Sequence, residues 1–242
     1  MTWSILARDA DGTFGIAVAS RFFAVGALCP YGRGGVGALS TQALVNPLYG
    51  LRGIEALTRN EEPARIVREL TAADPGAGSR QLHMIDAHGR TAAHTGAACI
   101  EWCGHLAGDG WSLAGNMLAG PQVLARTAAA YAASASLPLP ERLLAAMEAG
   151  EASGGDKRGK QGAALRIYTT EEYPVLDLRV DDHPEPLTEL RRLYEVSLER
   201  FQPFIHCLAT RANPAGITDR ALIETAVEEF HRARAQAKST AR

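Results

Sequence analysis

The chain opens with Thr2-Trp3-Ser4-Ile5-Leu6-Ala7, passes the turn signal Asp9-Ala10-Asp11-Gly12, and continues as Phe14-Gly15-Ile16-Ala17-Val18-Ala19-Ser20-Arg21. Two short apolar runs on either side of an Asp-Gly step read as an antiparallel hairpin. The first run starts on a hydroxyl-bearing residue directly after Met1. Were Met1 removed, Thr2 would carry a nucleophile and a free α-amine on one residue. Such an amine titrates at roughly 7.7–8.0, close enough to neutral pH to accept the hydroxyl proton. Threonine paired with its own amine is one of the recurring activated nucleophiles.

Working outward, strands are predicted over 2–7, 14–20, 23–28 and 36–42, where short Gly-, Ala- and Val-rich runs are split by turns. Helices follow over 49–59, with Leu51, Ile54 and Leu57 at helical spacing, and over 63–73, with Pro63 in the first turn. A hairpin is expected over 82–86 and 91–94. The stretch 99–121 is Gly-rich and reads as irregular, broken by a strand candidate at 111–114. Alanine-rich helices are expected over 121–134 and 140–149, separated at Pro138 and Pro140. Strands at 163–168 and 175–180 come next, then a charged helix over 186–200. A capped amphipathic helix over 219–237 carries Leu222, Ile223, Ala226, Val227 and Phe230 on one face. Strand runs alternating with helix pairs suit antiparallel sheets covered by helices, an α+β architecture, rather than a parallel βαβ fold.

Bulk properties narrow the function classes. With 242 residues, 46% hydrophobic and 21% charged, the composition is that of a globular chain able to bury a large core. A net charge of −2 offers no broad basic field for nucleic acid. No apolar run approaches the roughly 18 residues of a membrane span, and no signal peptide is evident, so a cytoplasmic location is expected. Four scattered cysteines, Cys29, Cys99, Cys103 and Cys207, do not make a disulfide framework.

Several blocks in one order resemble an uncharacterised family placed among the Ntn-hydrolase-like proteins, over roughly residues 2–195. They are Thr2-Trp3-Ser4-Ile5, Ala17-Val18-Ala19-Ser20-Arg21-Phe22, Thr41-Gln42-Ala43-Leu44-Val45-Asn46-Pro47, His94-Thr95-Gly96, Gly115-Asn116-Met117-Leu118-Ala119-Gly120-Pro121, Gly154-Gly155-Asp156-Lys157-Arg158-Gly159-Lys160-Gln161 and Asp177-Leu178-Arg179-Val180-Asp181-Asp182-His183-Pro184. The resemblance implies a four-layer αββα sandwich of two antiparallel sheets, placed over 1–200; the different texture of the chain beyond it reads as a helical C-terminal extension over 201–242. The resemblance also implies an N-terminal nucleophile in a cleft between the sheets and hydrolysis of an amide or related C–N bond. Proteasome-like subunits, similar at the N-terminus, carry an Ala-Asp-Ser-Arg block on the second strand. Here Ala19 stands at the acid's position and the following strand region has no lysine, which leaves proton transfer to the amine of Thr2.

The candidate catalytic residues are therefore Thr2, Ser20, Arg21 and Asn116. Arg21 is placed to hold a substrate carboxylate or to lower the amine pKa, and the Asn116 amide to stabilise an oxyanion. Gln42, Asn46, Asp156, Lys157, Arg158 and Gln161 are candidate substrate-binding residues. Glycines around 154–162 let backbone N–H groups approach a ligand, although the order of a P-loop is absent. His94, Cys99, Cys103 and His105 lie within zinc-ligand spacing but lack a second Cys pair, and Asp181-Asp182-His183 runs into Pro184 as a charged turn. No metal or cofactor is expected. The partner expected is a small, partly anionic metabolite, with no nucleic acid and no membrane. A homo-oligomer is expected from the apolar helical face near the C-terminus. The alternative is a binding module on the same fold that holds a small anion without turnover.

Overall fold

The computed structural model describes residues 2–240, with side chains as far as 236. The chain divides into two compact units, one ending at Leu190 and the other beginning at Arg191. The first unit contains both sheets.

β1 (Thr2–Arg8) and β2 (Phe14–Ser20) form the expected hairpin. Its turn is closed by the Asp11 carboxylate, which accepts the Thr13 N–H at 2.9 Å, and by Gly12 at φ 89°. A six-stranded antiparallel sheet grows around them in the order β10-β9-β2-β1-β8-β7, using β7 (Trp102–Gly108), β8 (Trp111–Leu118), β9 (Gly162–Tyr168) and β10 (Leu176–Val180). A four-stranded antiparallel sheet has the order β3-β4-β5-β6, from β3 (Pro30–Arg33), β4 (Gly37–Ala43), β5 (Arg80–Asp86) and β6 (Thr91–Thr95).

Helices cover the outer face of each sheet. α2 (Pro47–Thr58) and α3 (Pro63–Ala72) pack on the smaller sheet through Tyr49, Ala56, Leu57, Ile66 and Val67 against Leu39, Leu82 and Met84. α4 (Gln122–Ala133) and α5 (Leu139–Ala152) pack on the larger one. The result is the four-layer αββα sandwich of α+β class. In the second unit, α7 (Phe201–Ile205) and α8 (Arg220–Thr240) are tied by an ion pair from Arg200 to both carboxylate oxygens of Glu224, at 3.0 and 2.5 Å. The division between the units falls within α6 (Pro186–Ser197).

Two segments depart from expectation. Residues 23–28 are not a strand: the chain turns through Ala24 at φ 52° into α1 (Val25–Leu28), a single helical turn, and the next strand is β3. A short apolar run without alternation does not distinguish helix from strand. The Gly-rich stretch 99–121, expected to be irregular apart from 111–114, forms the β7–β8 hairpin through Gly110 at φ 70°. Its glycines make room for aromatic rings. A Cβ at Gly108 would collide with the Trp111 indole, so glycine here lets a cross-strand tryptophan lie flat on the sheet.

Because strand side chains alternate, the two faces of β1 meet different layers. Trp3, Ile5 and Ala7 alternate with Thr2, Ser4 and Leu6, and all six are buried. At one end of the layer between the sheets, Leu6, Phe14, Ile16, Ala38, Ile85 and Tyr168 form an apolar cluster. At the other end, where β1 begins, the same layer is polar.

Candidate functional site

That polar end is built from Thr2 and Ser4 of β1, Ser20 of β2, Ser40 and Gln42 of β4, Gln81 and His83 of β5, and Ser112 and Asn116 of β8, all of them buried. Buried polar groups carry a large desolvation cost unless paired. Here they pair with one another in a directed chain. The Ser4 hydroxyl donates to Gln42 Oε1 at 2.7 Å, so its contact with His83 Nε2 at 2.8 Å is one in which the ring N–H donates to Ser4. His83 Nδ1 is then an acceptor, taking the Ser112 hydroxyl at 3.0 Å. Gln42 Nε2 donates to Gln81 Oε1 at 2.7 Å and to the main-chain oxygen of Thr2 at 3.4 Å. Asn116 Nδ2 donates to the same two acceptors, at 3.0 and 3.3 Å. The Gln81 amide in turn faces Gly115 O, Thr95 Oγ1 and Gly104 O at 2.8–3.0 Å.

This chain of bonds reaches Thr2. The Thr2 carbonyl oxygen is held from both sheets, by Gln42 and Asn116, and its Oγ1 lies 3.1 Å from Ser20 Oγ. Thr2 and Asn116 are direct cross-strand partners. Both hydrogens of the Asn116 amide are committed within the protein, which fits it to fix the Thr2 main chain rather than to meet an oxyanion.

The expected loop comes to the same edge. The Asp156 carboxylate is buried and accepts Arg21 N at 2.7 Å, Arg158 N at 2.8 Å and Arg158 Nη2 at 3.3 Å, which ties the loop to the end of β2. Lys157 pairs with Glu101 at 2.7 Å. The Arg21 guanidinium reaches Arg158 O at 3.4 Å, and Gln161 donates to Asp182 at 3.1 Å on the exposed side. Asn46 belongs to a different arrangement: it is the N-cap of α2, accepting Leu48 N at 3.1 Å and donating to Asp74 Oδ2 at 3.0 Å. The hydrogen bond from Tyr49, with those from Gly76, Asn46 and Arg80, holds the Asp74 carboxyl well below the usual carboxylate range. The sequence contains three lysines, Lys157, Lys160 and Lys238, and none lies on a strand.

Beside Asn116 opens a pocket of about 320 Å³, lined by Phe22, Ala43, Leu44, Ala98, Cys99, Ile100, Met117 and Arg158 among others. Ala43 at φ 67° and Met117 at φ 53° are both left-handed, a strained conformation for residues with a Cβ. Among the described residues no group of three or more His, Cys, Asp or Glu side chains is placed to hold a metal ion. Burial pushes the Cys29 thiol up to about 12, which makes it unreactive at neutral pH.

Burial, with a smaller contribution from His105, pushes His83 down from its ordinary 6.5 to about 3. The folded protein therefore holds it neutral, while the unfolded chain takes up a proton below about 6.5. Stability from this residue is complete above 6.5 and is lost as pH falls toward 3. Thermal melting points of wild type and His83→Gln are expected to diverge in slope over pH 6.5 to 4, the wild type falling faster. Parallel curves would show that His83 is not the group responsible.

A layered αββα protein with a buried threonine at the head of a central strand is thus defined by fold and geometry. The chain belongs to DUF1028, a family of unknown function, which matches residues 2–190. A crystal structure of a protein of that family from Silicibacter pomeroyi is similar with a TM-score of 0.84 at 29% identity, covering 90% of this chain and 99% of that one. Anbu, the ancestral β-subunit from Yersinia bercovieri, is a far weaker likeness, with a TM-score of 0.43 at 14% identity over 81% of this chain and 94% of its own. No curated protein matches the sequence. No helix among the described residues is long and apolar enough to cross a membrane.

Proposed function

We propose that the protein is an N-terminal-nucleophile hydrolase of a small amide, with Thr2 as its nucleophile. The observation that carries this reading is the way Thr2 is held: the first residue of a central strand, buried, its carbonyl clamped by amides from two sheets and its hydroxyl 3.1 Å from Ser20. Such fixation is what a reacting group needs, since orientation alone lowers a barrier substantially. In this reading Thr2 Oγ1 attacks the substrate carbonyl carbon while the α-amine takes the hydroxyl proton. The C–N bond breaks, the proton passes to the leaving nitrogen, and an ester on Thr2 remains. Water, activated by the same amine, releases the acid and restores the hydroxyl.

Ser20 orients the hydroxyl, Gln42 and Asn116 fix the main chain, and Asp156 sets the loop bearing Lys157 and Arg158. With no lysine on any strand, the amine is the base this mechanism requires. Thr2 must therefore be the first residue of the working protein. The intact mass of protein purified from its own cells tests this: loss of the initiator methionine is expected, followed by release of amine from members of a small-amide panel. A retained Met1 would block the base and sink the mechanism, leaving the same cleft as a binding site without turnover.

A further inference from the structure

Two strands end near Thr2 and a third passes beside it, and all three contribute residues to one pocket. β2 ends at Ser20 and leads to Phe22, β4 ends at Ala43 and leads to Leu44, and β8 passes from Asn116 to Met117. A fourth side is Ala98, Cys99 and Ile100, and the loop after α5 supplies Arg158. Apart from Ser79, Asn116 and Arg158 the wall is apolar, and Phe22, Leu44 and Ile100 are respectively 50%, 66% and 59% exposed. Large apolar side chains gathered at a concave site beside reactive groups mark a ligand-binding surface. At about 320 Å³ the pocket is at the lower end of the range for small molecules. Ala43 and Met117, two of the five left-handed non-glycine residues among the described residues, both line it.

Arg158 is the charged side chain in this lining, and its Nη2 lies 3.3 Å from the buried Asp156 carboxylate. Guanidinium groups hold carboxylates through paired N–H donors. Building on the assignment of Thr2 as nucleophile, we propose that the substrate is an N-acylated amino acid. Its short apolar acyl chain lies against Phe22, Leu44 and Ile100, and the carboxylate of its amine half is held by Arg158. The products are then a short fatty acid and a free amino acid, with water as the co-reactant.

The test is calorimetric binding to full-length Thr2→Ala protein, using N-acetyl-, N-butanoyl- and N-hexanoylglycine as probes. Affinity is expected to rise about fourfold per added methylene. The methyl esters, which lack the carboxylate, are expected to bind about tenfold more weakly. Arg158→Gln should erase the difference between acid and ester. Ile100→Asp, at an exposed position whose folding is checked by thermal melting, should erase the chain-length dependence. Affinity that is flat with chain length, unaffected by Ile100→Asp or absent for all three probes overturns the proposal. The two readings separate on the wild type. Hydrolysis of other amides without chain-length dependence removes the acyl pocket and keeps the nucleophile. Chain-length-dependent binding without release of glycine keeps the pocket and removes the nucleophile.

Discussion

Gln81→Leu is expected to lower the melting temperature by about 10–20 °C, a large effect for a change that nearly preserves volume. Gln81 Oε1 receives Gln42 Nε2 and Asn116 Nδ2, while its amide faces Gly115 O, Gly104 O and Thr95 Oγ1. Leucine fills the space but removes an acceptor for two buried donors and a donor for the carbonyls. Each buried group left unpaired costs about 1–3 kcal/mol, so a loss of about 5 kcal/mol is expected. In a domain of this size each kcal/mol moves the midpoint by about 2–4 °C. Because Gln42 and Gln81 are bonded to one another, Gln42→Leu combined with Gln81→Leu should cost less than the sum of the singles, by about 1 kcal/mol or more. A shift below about 3 °C for Gln81→Leu would mean that water or rearranged side chains satisfy the layer, and that the amides do not hold Thr2 as described.

The hairpin of β1 and β2 was readable because Asp11-Gly12 has a local cause, and so was α2 from the helical spacing of Leu51, Ile54 and Leu57, although it starts at Pro47, two residues earlier than expected. The segments at 23–28 and 99–121 were misread for a common reason: glycine and unpatterned apolar residues take their conformation from neighbours distant in sequence. Of the residues that meet in the polar layer, Thr2, Ser20, Gln42 and Asn116 stood out through position and family blocks. Ser4, Gln81, His83 and Ser112 were missed. In Gln81-Leu82-His83-Met84, strict alternation reads as one buried face and one wet face. A second sheet covers the polar face, leaving Gln81 and His83 0% exposed. The usable signal was the sandwich itself, in which central strands have no solvent face and their polar residues must find one another. Asn46 shows the opposite hazard, since an amide in a family block can be there to cap a helix.

Thr2→Ala is expected to abolish turnover, by about 10⁴-fold or more, while barely changing the melting curve. Loss of the nucleophile in a hydrolase that works through a covalent intermediate costs on this scale, up to about 10⁶-fold. Stability is spared because the two bonds that clamp this residue, from Gln42 and Asn116, end on its main-chain oxygen, which alanine retains. The 3.1 Å contact between the Thr2 and Ser20 hydroxyls is lost, a matter of about 1 kcal/mol. Thr2→Ser keeps both the hydroxyl and the amine, so measurable activity should return with it. Turnover by Thr2→Ala would place the nucleophile elsewhere in the cleft. Equal loss in Thr2→Ala and Thr2→Ser would instead show that the methyl group, packed at the head of β1, is needed to aim Oγ1 at the substrate. The same clamp that lets the alanine variant fold would then have fixed only half of the geometry: the main chain by the amides, the hydroxyl by the threonine's own branching.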